Sequence, residues 1–287
     1  LTPYDYGQSL IYALKSGKIN FAFTDLARAQ SSTNMGSSPI QIPLTNLVYL
    51  GLNNTLGYTA TSSFRKAIAL CLDRSRIASD AFLSRATASS TPFNPNMYAT
   101  AELENQLYAD PDAANSILDA LGYNERDDEG YRLHGVDRLT LSVLVNTENF
   151  YRTQTARVVK DNLAAIGVDC AITELSSKNF LAAVQSSEFE MYIGETRLYA
   201  NNDLSEFFSS GGALSYGGVA NSGMPYASLR EGQIGYTYFC STFFEQSPFI
   251  PLVFRNGVAC FTETMSYNVK SSMSDPFFNI ENWTYAQ

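Results

Sequence analysis

Between residues 139 and 194 the hydrophobic pattern alternates between two periods, and this alternation limits the fold more than any other feature of the chain. Apolar runs at 139–145, 168–175 and 189–194 read as strands, and the segments between them, about 151–166 and 179–185, place apolar residues at helical spacing. Strands that alternate with helices of this length imply βαβ units, in which a sheet carries helices on its faces. The expected class is therefore α/β, a mixed sheet flanked by helices.

The flanking sequence extends the pattern. Tyr12, Ala13 and Leu14 close a short helix that stops at Lys15-Ser16-Gly17, and residues 19–23 alternate like a strand. A polar stretch at 30–39 reads as a loop, and 47–52 as a buried strand bounded by Asn53 and Asn54. Ser62 or Ser63 can cap a helix whose Phe64, Ala67, Ile68 and Cys71 form one apolar stripe, which turns Arg65 and Lys66 toward solvent or a partner. Asp110, followed by Pro111, caps a helix that runs through Leu118 and stops at Gly122. Residues 211–226, rich in Gly and Ser, read as a surface loop, followed by one long Tyr- and Phe-rich helix to about Glu245 and a strand at 249–254.

Composition narrows the chemistry. A net charge of −9 without a run of Lys or Arg argues against nucleic acid as a partner. The four cysteines are widely spaced with no C-x-x-C unit, so the single histidine, His134, has no sulfur partners with which to build a zinc, copper or nickel shell. Asp127-Asp128-Glu129-Gly130 is too short for an EF-hand loop, and no phosphate-binding glycine motif is present, so no cofactor or metal is expected. No apolar stretch reaches the roughly 18–20 residues that span a membrane.

Two spellings touch on catalysis. Ser63-Phe64-Arg65-Lys66 has the S-x-x-K form of peptidoglycan-active serine enzymes, yet no S-D-N follows and the K-S-G at Lys15 precedes it. Ser215 sits in Ala213-Leu214-Ser215-Tyr216-Gly217, which lacks the first glycine of a nucleophile elbow, and His134 lies upstream of it, against the usual order. The pattern that remains is one of binding, not catalysis.

A series of motifs in order then resembles a known family. Phe64-Arg65-Lys66-Ala67-Ile68 with Asp73-Arg74, the turn Thr91-Pro92-Phe93-Asn94-Pro95, and the helix from Asp110-Pro111 to Leu121-Gly122-Tyr123 are all similar to stretches of the extracellular solute-binding proteins of family 5. So are Leu163-Ala164-Ala165-Ile166-Gly167-Val168, Phe189-Glu190-Met191-Tyr192-Ile193-Gly194 and Pro248-Phe249-Ile250-Pro251-Leu252, with Ala13-Leu14-Lys15-Ser16-Gly17 upstream. These proteins are the peptide- and nickel-binding components of ABC importers.

The resemblance implies a periplasmic-binding-protein-like (type II) fold, with two α/β lobes closing on a ligand. On that basis residues 1–60 are a remnant of the first lobe, 61–256 the C-terminal ligand-binding lobe and 257–287 a tail returning to the first lobe, the chain being expected to begin in mid-family. It further implies an oligopeptide-like or other small ligand, ABC permease subunits as partners, a monomer, and a periplasmic or lipoprotein location outside the cell, with any membrane anchor lying outside this sequence. A peptide-sensing receptor is the alternative among binders, and the S-x-x-K serine enzyme among catalysts.

Ligands of such sheets sit beyond the C-terminal ends of strands. That rule selects the loop expected after Gly194, with Glu195, Arg197, Tyr199, Asn202 and Asp203 as ligand contacts. A carboxylate and a guanidinium there could hold the two termini of a peptide, and Tyr199 could stack on its backbone. The alternative is that Glu195 and Arg197 only pair with each other. Peptide binders of the family commonly carry Gly-Trp here, and often an aspartate for the ligand's amino terminus, where this chain has Gly194-Glu195-Thr196-Arg197; either Glu195 or Asp203 replaces that aspartate, or the ligand is not a standard peptide.

Overall fold

The computed structural model describes residues 8–24, 40–97, 100, 102–103, 106–199, 201–262, 275 and 277–284; the polar stretch at 30–39 lies outside them. Two compact units divide the chain. The smaller comprises Leu1–Leu44, Arg85–Thr87 and Arg255–Gln287, and the larger Thr45–Ser84 and Ala88–Phe254.

In the smaller unit, helix α1 (Gln8–Lys15) leads to strand β1 (Phe21–Thr24). The glycine stop works as its sequence implies: Gly17 adopts φ 69°, a left-handed conformation that ends the helix at little strain. Leu14 packs with Val258, Cys260 and Ile19, and Phe21 lies 4.8 Å from the Trp283 ring centroid.

The larger unit begins within β2 (Ile40–Leu52). Next come α2 (Ser62–Cys71), α3 (Arg74–Arg76) with a π-helical turn over Ile77–Ala81, β3 (Ala86–Ala88), whose first two residues belong to the smaller unit, and α4 (Pro111–Ala120). A hairpin of β4 (Leu133–His134) and β5 (Asp137–Arg138) precedes β6 (Thr140–Asn146), α5 (Phe150–Ala165), β7 (Asp169–Leu175), α6 (Ser177–Gln185) and β8 (Met191–Arg197). The short helices α7 (Ser205–Phe208) and α8 (Tyr226–Arg230) lead to α9 (Tyr236–Gln246) and β9 (Phe249–Phe261). The sheet runs β1-β9-β2-β8-β6-β7, with β3 on β9. Strands β7 and β8 flank β6 in parallel and β2 pairs antiparallel with β8, so the sheet is mixed.

Four local readings change. The aromatic helix is broken into α8 and α9, with Gly232 at φ 71° where α8 ends. Strand β9 continues to Phe261, buried along its whole length. Strand β8 is displaced toward the C-terminus, because the Phe189 and Glu190 carbonyls are taken by the Asn53 side chain (3.0 Å) and Asn53 N–H (2.9 Å). Arg65 does not face solvent: it is 3% exposed.

Arg65 belongs to a set of buried guanidiniums that donate to backbone carbonyls. From α2 it reaches the Gln246 and Ser247 carbonyls beyond α9, and those of Thr59 and Ala60. Arg74 donates to Pro251 in β9 and to Ala69, Leu72 and Gln106. Arg132 joins the Ile166 and Tyr123 carbonyls, Asn115 Oδ1 and the Asp119 carboxylate. Burial lowers the pKa of Arg65 and of Arg74 to about 10, which leaves both charged at neutral pH. A planar fork of donors suits this work, since one side chain satisfies carbonyls from several segments.

Strands β2 and β8 are locked by a reciprocal exchange. Tyr49 lies opposite Gly194, and Tyr192 opposite Gly51. A Cβ on either glycine would overlap the facing ring. The two hydroxyls meet at 3.2 Å, and burial pushes the Tyr49 pKa up to about 12. Phe207 and Phe249 stack 4.2 Å apart beside Tyr49 and extend an aromatic core beneath these strands.

Candidate functional site

Because β6, β7 and β8 are parallel, their C-terminal ends gather at one edge of the larger unit. The loops there are tied by side chains. Asn146 donates to Ser177 Oγ at 2.9 Å, and the Glu148 carboxylate accepts from Ser177 N–H (3.1 Å) and Oγ (2.7 Å), contacts that lower the Glu148 pKa. Ser176 caps α6 through Asn179 N–H, and Asn149 caps α5 by accepting from Arg152 N–H at 3.1 Å. This cap places Arg152 in the first turn of α5.

Arg152 reaches β8. Its Nη2 lies 3.3 Å from Glu195 Oε2, and Asn46 of β2 donates to Glu195 Oε1 at 3.1 Å. The pair is largely covered, with side-chain exposures of 19% for Arg152 and 9% for Glu195. Arg152 Nε is buried with no hydrogen-bond partner. A buried donor without an acceptor costs free energy, so this guanidinium is held at the strand tip short of its bonding capacity.

Glu195 and Arg197 were expected in a loop, and the structure corrects this: both lie on β8, at register with Val48 and Asn46 of β2. The expected pairing between them is absent, since Glu195 turns to Arg152 while Arg197 is exposed and makes no ion pair among the described residues. Tyr199 follows in the loop, 71% exposed. Asn202 is buried at φ 57°, with Nδ2 3.5 Å from the Tyr236 hydroxyl.

Asp203 is occupied by the fold. It accepts from the Tyr226 hydroxyl at 2.6 Å and Ser205 N–H at 2.8 Å, and lies 3.3 Å from Arg230. The Tyr226 hydroxyl, aided by the Ser205 N–H and the Arg230 charge, holds its carboxyl below the usual range, while burial pushes Tyr226 up to about 12. The strand tip thus brings together Glu195, Arg197 and Tyr199 and commits Asp203 and Asn202 to the adjoining loop. Arg152 and Asn46 were missed. Arg152 was signalled by its place just after Asn149, a helix cap beyond a strand parallel to β8; Asn46 depends on cross-strand register, which no local pattern carries.

The residues once considered for catalysis are engaged elsewhere. Lys66 Nζ lies 2.7 Å from Glu245, on α9, and Ser63 is exposed. Ser215 Oγ donates to the Gly212 carbonyl at 2.7 Å, and His134 Nδ1 meets the Tyr58 hydroxyl at 3.0 Å. Among the described residues no group of three His, Cys, Asp or Glu could hold a metal, and no helix is long and apolar enough to cross a membrane.

The family model for bacterial extracellular solute-binding proteins, family 5 middle, matches residues 4–214. The chain belongs to this family. Solved structures of the same fold include the oligopeptide-binding protein AppA of Bacillus subtilis, in complex with a nonapeptide, at 18% identity and a TM-score of 0.71, covering 96% of this chain and 58% of that one. NikA of Brucella suis, in complex with Fe(III)-EDTA, matches at 19% identity and a TM-score of 0.73, covering 96% and 59%. NikZ of Campylobacter jejuni, in complex with Ni(L-His), matches at 15% and 0.69, covering 95% and 59%. The chain therefore spans less than two thirds of the length of these relatives. No curated protein matches it in sequence. The mixed sheet flanked by helices is that of the periplasmic-binding-protein-like family 5 fold, and the Arg65 and Arg74 of the family-like motif are the buried carbonyl clamps described above.

Proposed function

We propose that this protein is the substrate-binding component of an ABC importer, capturing short oligopeptides at the tip of β8 and passing them to the permease. One observation supports the reading: within a family 5 chain, a largely covered Glu195–Arg152 ion pair ends β8, with Arg197 and Tyr199 exposed just beyond it. In this reading Glu195 receives a ligand ammonium, Arg152 and Arg197 a carboxylate, and Tyr199 packs on the peptide backbone. The larger unit, Thr45–Ser84 with Ala88–Phe254, acts as the ligand-binding lobe, and the smaller unit contributes to the other.

Oligopeptides fit better than the metal chelates bound by NikZ and NikA, because the lone histidine is held by Tyr58 on the β4–β5 hairpin and the strand tip offers one carboxylate and two guanidiniums. The protein works as a monomer at the cell surface or in the periplasm and binds without catalysing, the S-x-x-K lysine being engaged by Glu245.

Calorimetric titration of the intact protein with tri-, tetra- and pentaalanine, and separately with Ni(L-His), tests this. Peptide binding that weakens in Glu195→Gln is expected. Binding of the chelate alone, or peptide affinity indifferent to Glu195→Gln, overturns the assignment.

A further inference from the structure

A cavity of about 730 Å³ opens in the larger unit between residues 90–91, 103 and 106–110 on one side and α9 on the other, and among the described residues it shares none with the tip of β8. Its size falls within the roughly 300–1,000 Å³ of small-molecule sites. Thr237, Ser241 and Glu245 recur every fourth residue on α9 and present one polar stripe to it. Leu103, Leu107 and Phe244 supply its apolar surface.

The charge around this space has one sign. Asp110 and Glu245 line it, and no Lys or Arg does so among the described residues. Asp110 uses Oδ1 to cap α4 through Ala113 N–H at 3.0 Å and leaves Oδ2 open. Burial pushes the Cys240 thiol, also on the lining, up to about 12, so it adds no charge at neutral pH. Glu245 is already paired, since Lys66 Nζ lies 2.7 Å from its Oε1 and 5.3 Å from the centroid of the Phe244 ring, so Asp110 is the carboxylate left to a ligand.

We propose that this cavity is a second small-molecule site that takes an aromatic or alkyl amine, its apolar body against Phe244, Leu103 and Leu107 and its ammonium toward Asp110. This carboxylate is exposed, so its attraction is screened and sets selectivity more than affinity. An anionic ligand finds no partner on this wall, and a metal ion finds too few oxygens.

Titration of the 287-residue chain with 2-phenylethylamine, 2-phenylethanol and 3-phenylpropionate, followed by saturation-transfer NMR, separates charge from shape. The amine is expected to bind at least about threefold tighter than the alcohol, and the carboxylate most weakly, with the differences collapsing at about 1 M salt. Asp110→Asn keeps the helix cap, since Asn caps as well as Asp, and is expected to weaken the amine about threefold while sparing the alcohol. Ser241→Trp, which fills the cavity, should abolish binding of all three. If that variant loses its native circular dichroism, Thr237→Trp, one turn earlier on an exposed position, obstructs the same space. Equal binding of amine and carboxylate, or amine binding that survives in a folded tryptophan variant, overturns the proposal.

Discussion

Two groups of arginines divide the larger unit. Arg65, Arg74 and Arg132 are buried and donate to carbonyls from several segments. Arg152 and Arg197, at the tip of β8, have one ion-pair contact and none, respectively, among the described residues. The contrast teaches that a guanidinium spent on carbonyls from several segments is a fastener, whereas an exposed one without such bonds is available to a ligand. It also explains why the family-like motif, which contains Arg65 and Arg74, marks the fold and does not reveal the ligand.

The sharpest way to break the comparison is at a fastener. Arg74→Leu leaves carbonyls of four residues without their donor, at about 1–3 kcal/mol for each one that water cannot reach, and is expected to remove more than about 3 kcal/mol of stability in urea unfolding. Arg74→Lys, with one point charge in place of a fork, should lose about half as much. A loss below about 1 kcal/mol would erase the distinction.

Next in size is Gly194→Ala. Its Cβ would overlap the Tyr49 ring, and overpacking of this kind costs about 1–3 kcal/mol. Tyr49→Leu should restore part of that loss, whereas failure of the double variant to recover would show that the glycine serves the backbone instead of the ring.

At the strand tip the expected effects move from stability to binding. Arg197→Ala should change unfolding free energy by less than about 0.5 kcal/mol while weakening oligopeptide binding by about 1.5–3 kcal/mol, the range of a hydrogen bond to a charged group. A large loss of stability with unchanged affinity would place Arg197 among the fasteners.

The smallest effect concerns pH. Asp203 is held below its usual pKa, near 4, chiefly by the Tyr226 hydroxyl. A depressed carboxyl contributes stability above its unfolded pKa and loses it as pH falls through the folded one. Tyr226→Phe should therefore raise the Asp203 pKa in a carboxyl-carbon NMR titration and flatten the decline of stability below about pH 4. An unchanged titration would assign the depression to Ser205 and Arg230.

Periodic signals were readable without coordinates. The cap Asp110, the glycine stop at Gly17 and the alternation through β6, α5, β7 and α6 are local, so sequence carries them. Arg65 was misread because three-residue spacing tells which helix face is apolar but not whether carbonyls from α9 wait on the other side. The end of β8 was misjudged for a related reason: polar Glu195 and Arg197 look like loop, yet pairing with β2 keeps them in the ladder. Of the residues in the proposed site, Glu195, Arg197 and Tyr199 were selected by the strand-end rule, whereas Arg152 and Asn46 contact Glu195 only through the folded sheet.

The interleaved tyrosines and glycines of β2 and β8 separate shape from chemistry. A one-residue slip between these strands would invert every side chain and drive each ring into a backbone that now carries a Cβ. The positions of residues 195–199 are thus fixed by Tyr49, Gly51, Tyr192 and Gly194, none of which needs to touch a ligand. Under the proposed function, such a strand can exchange the residues at its tip, and with them its cargo, while the frame that aims them stays the same.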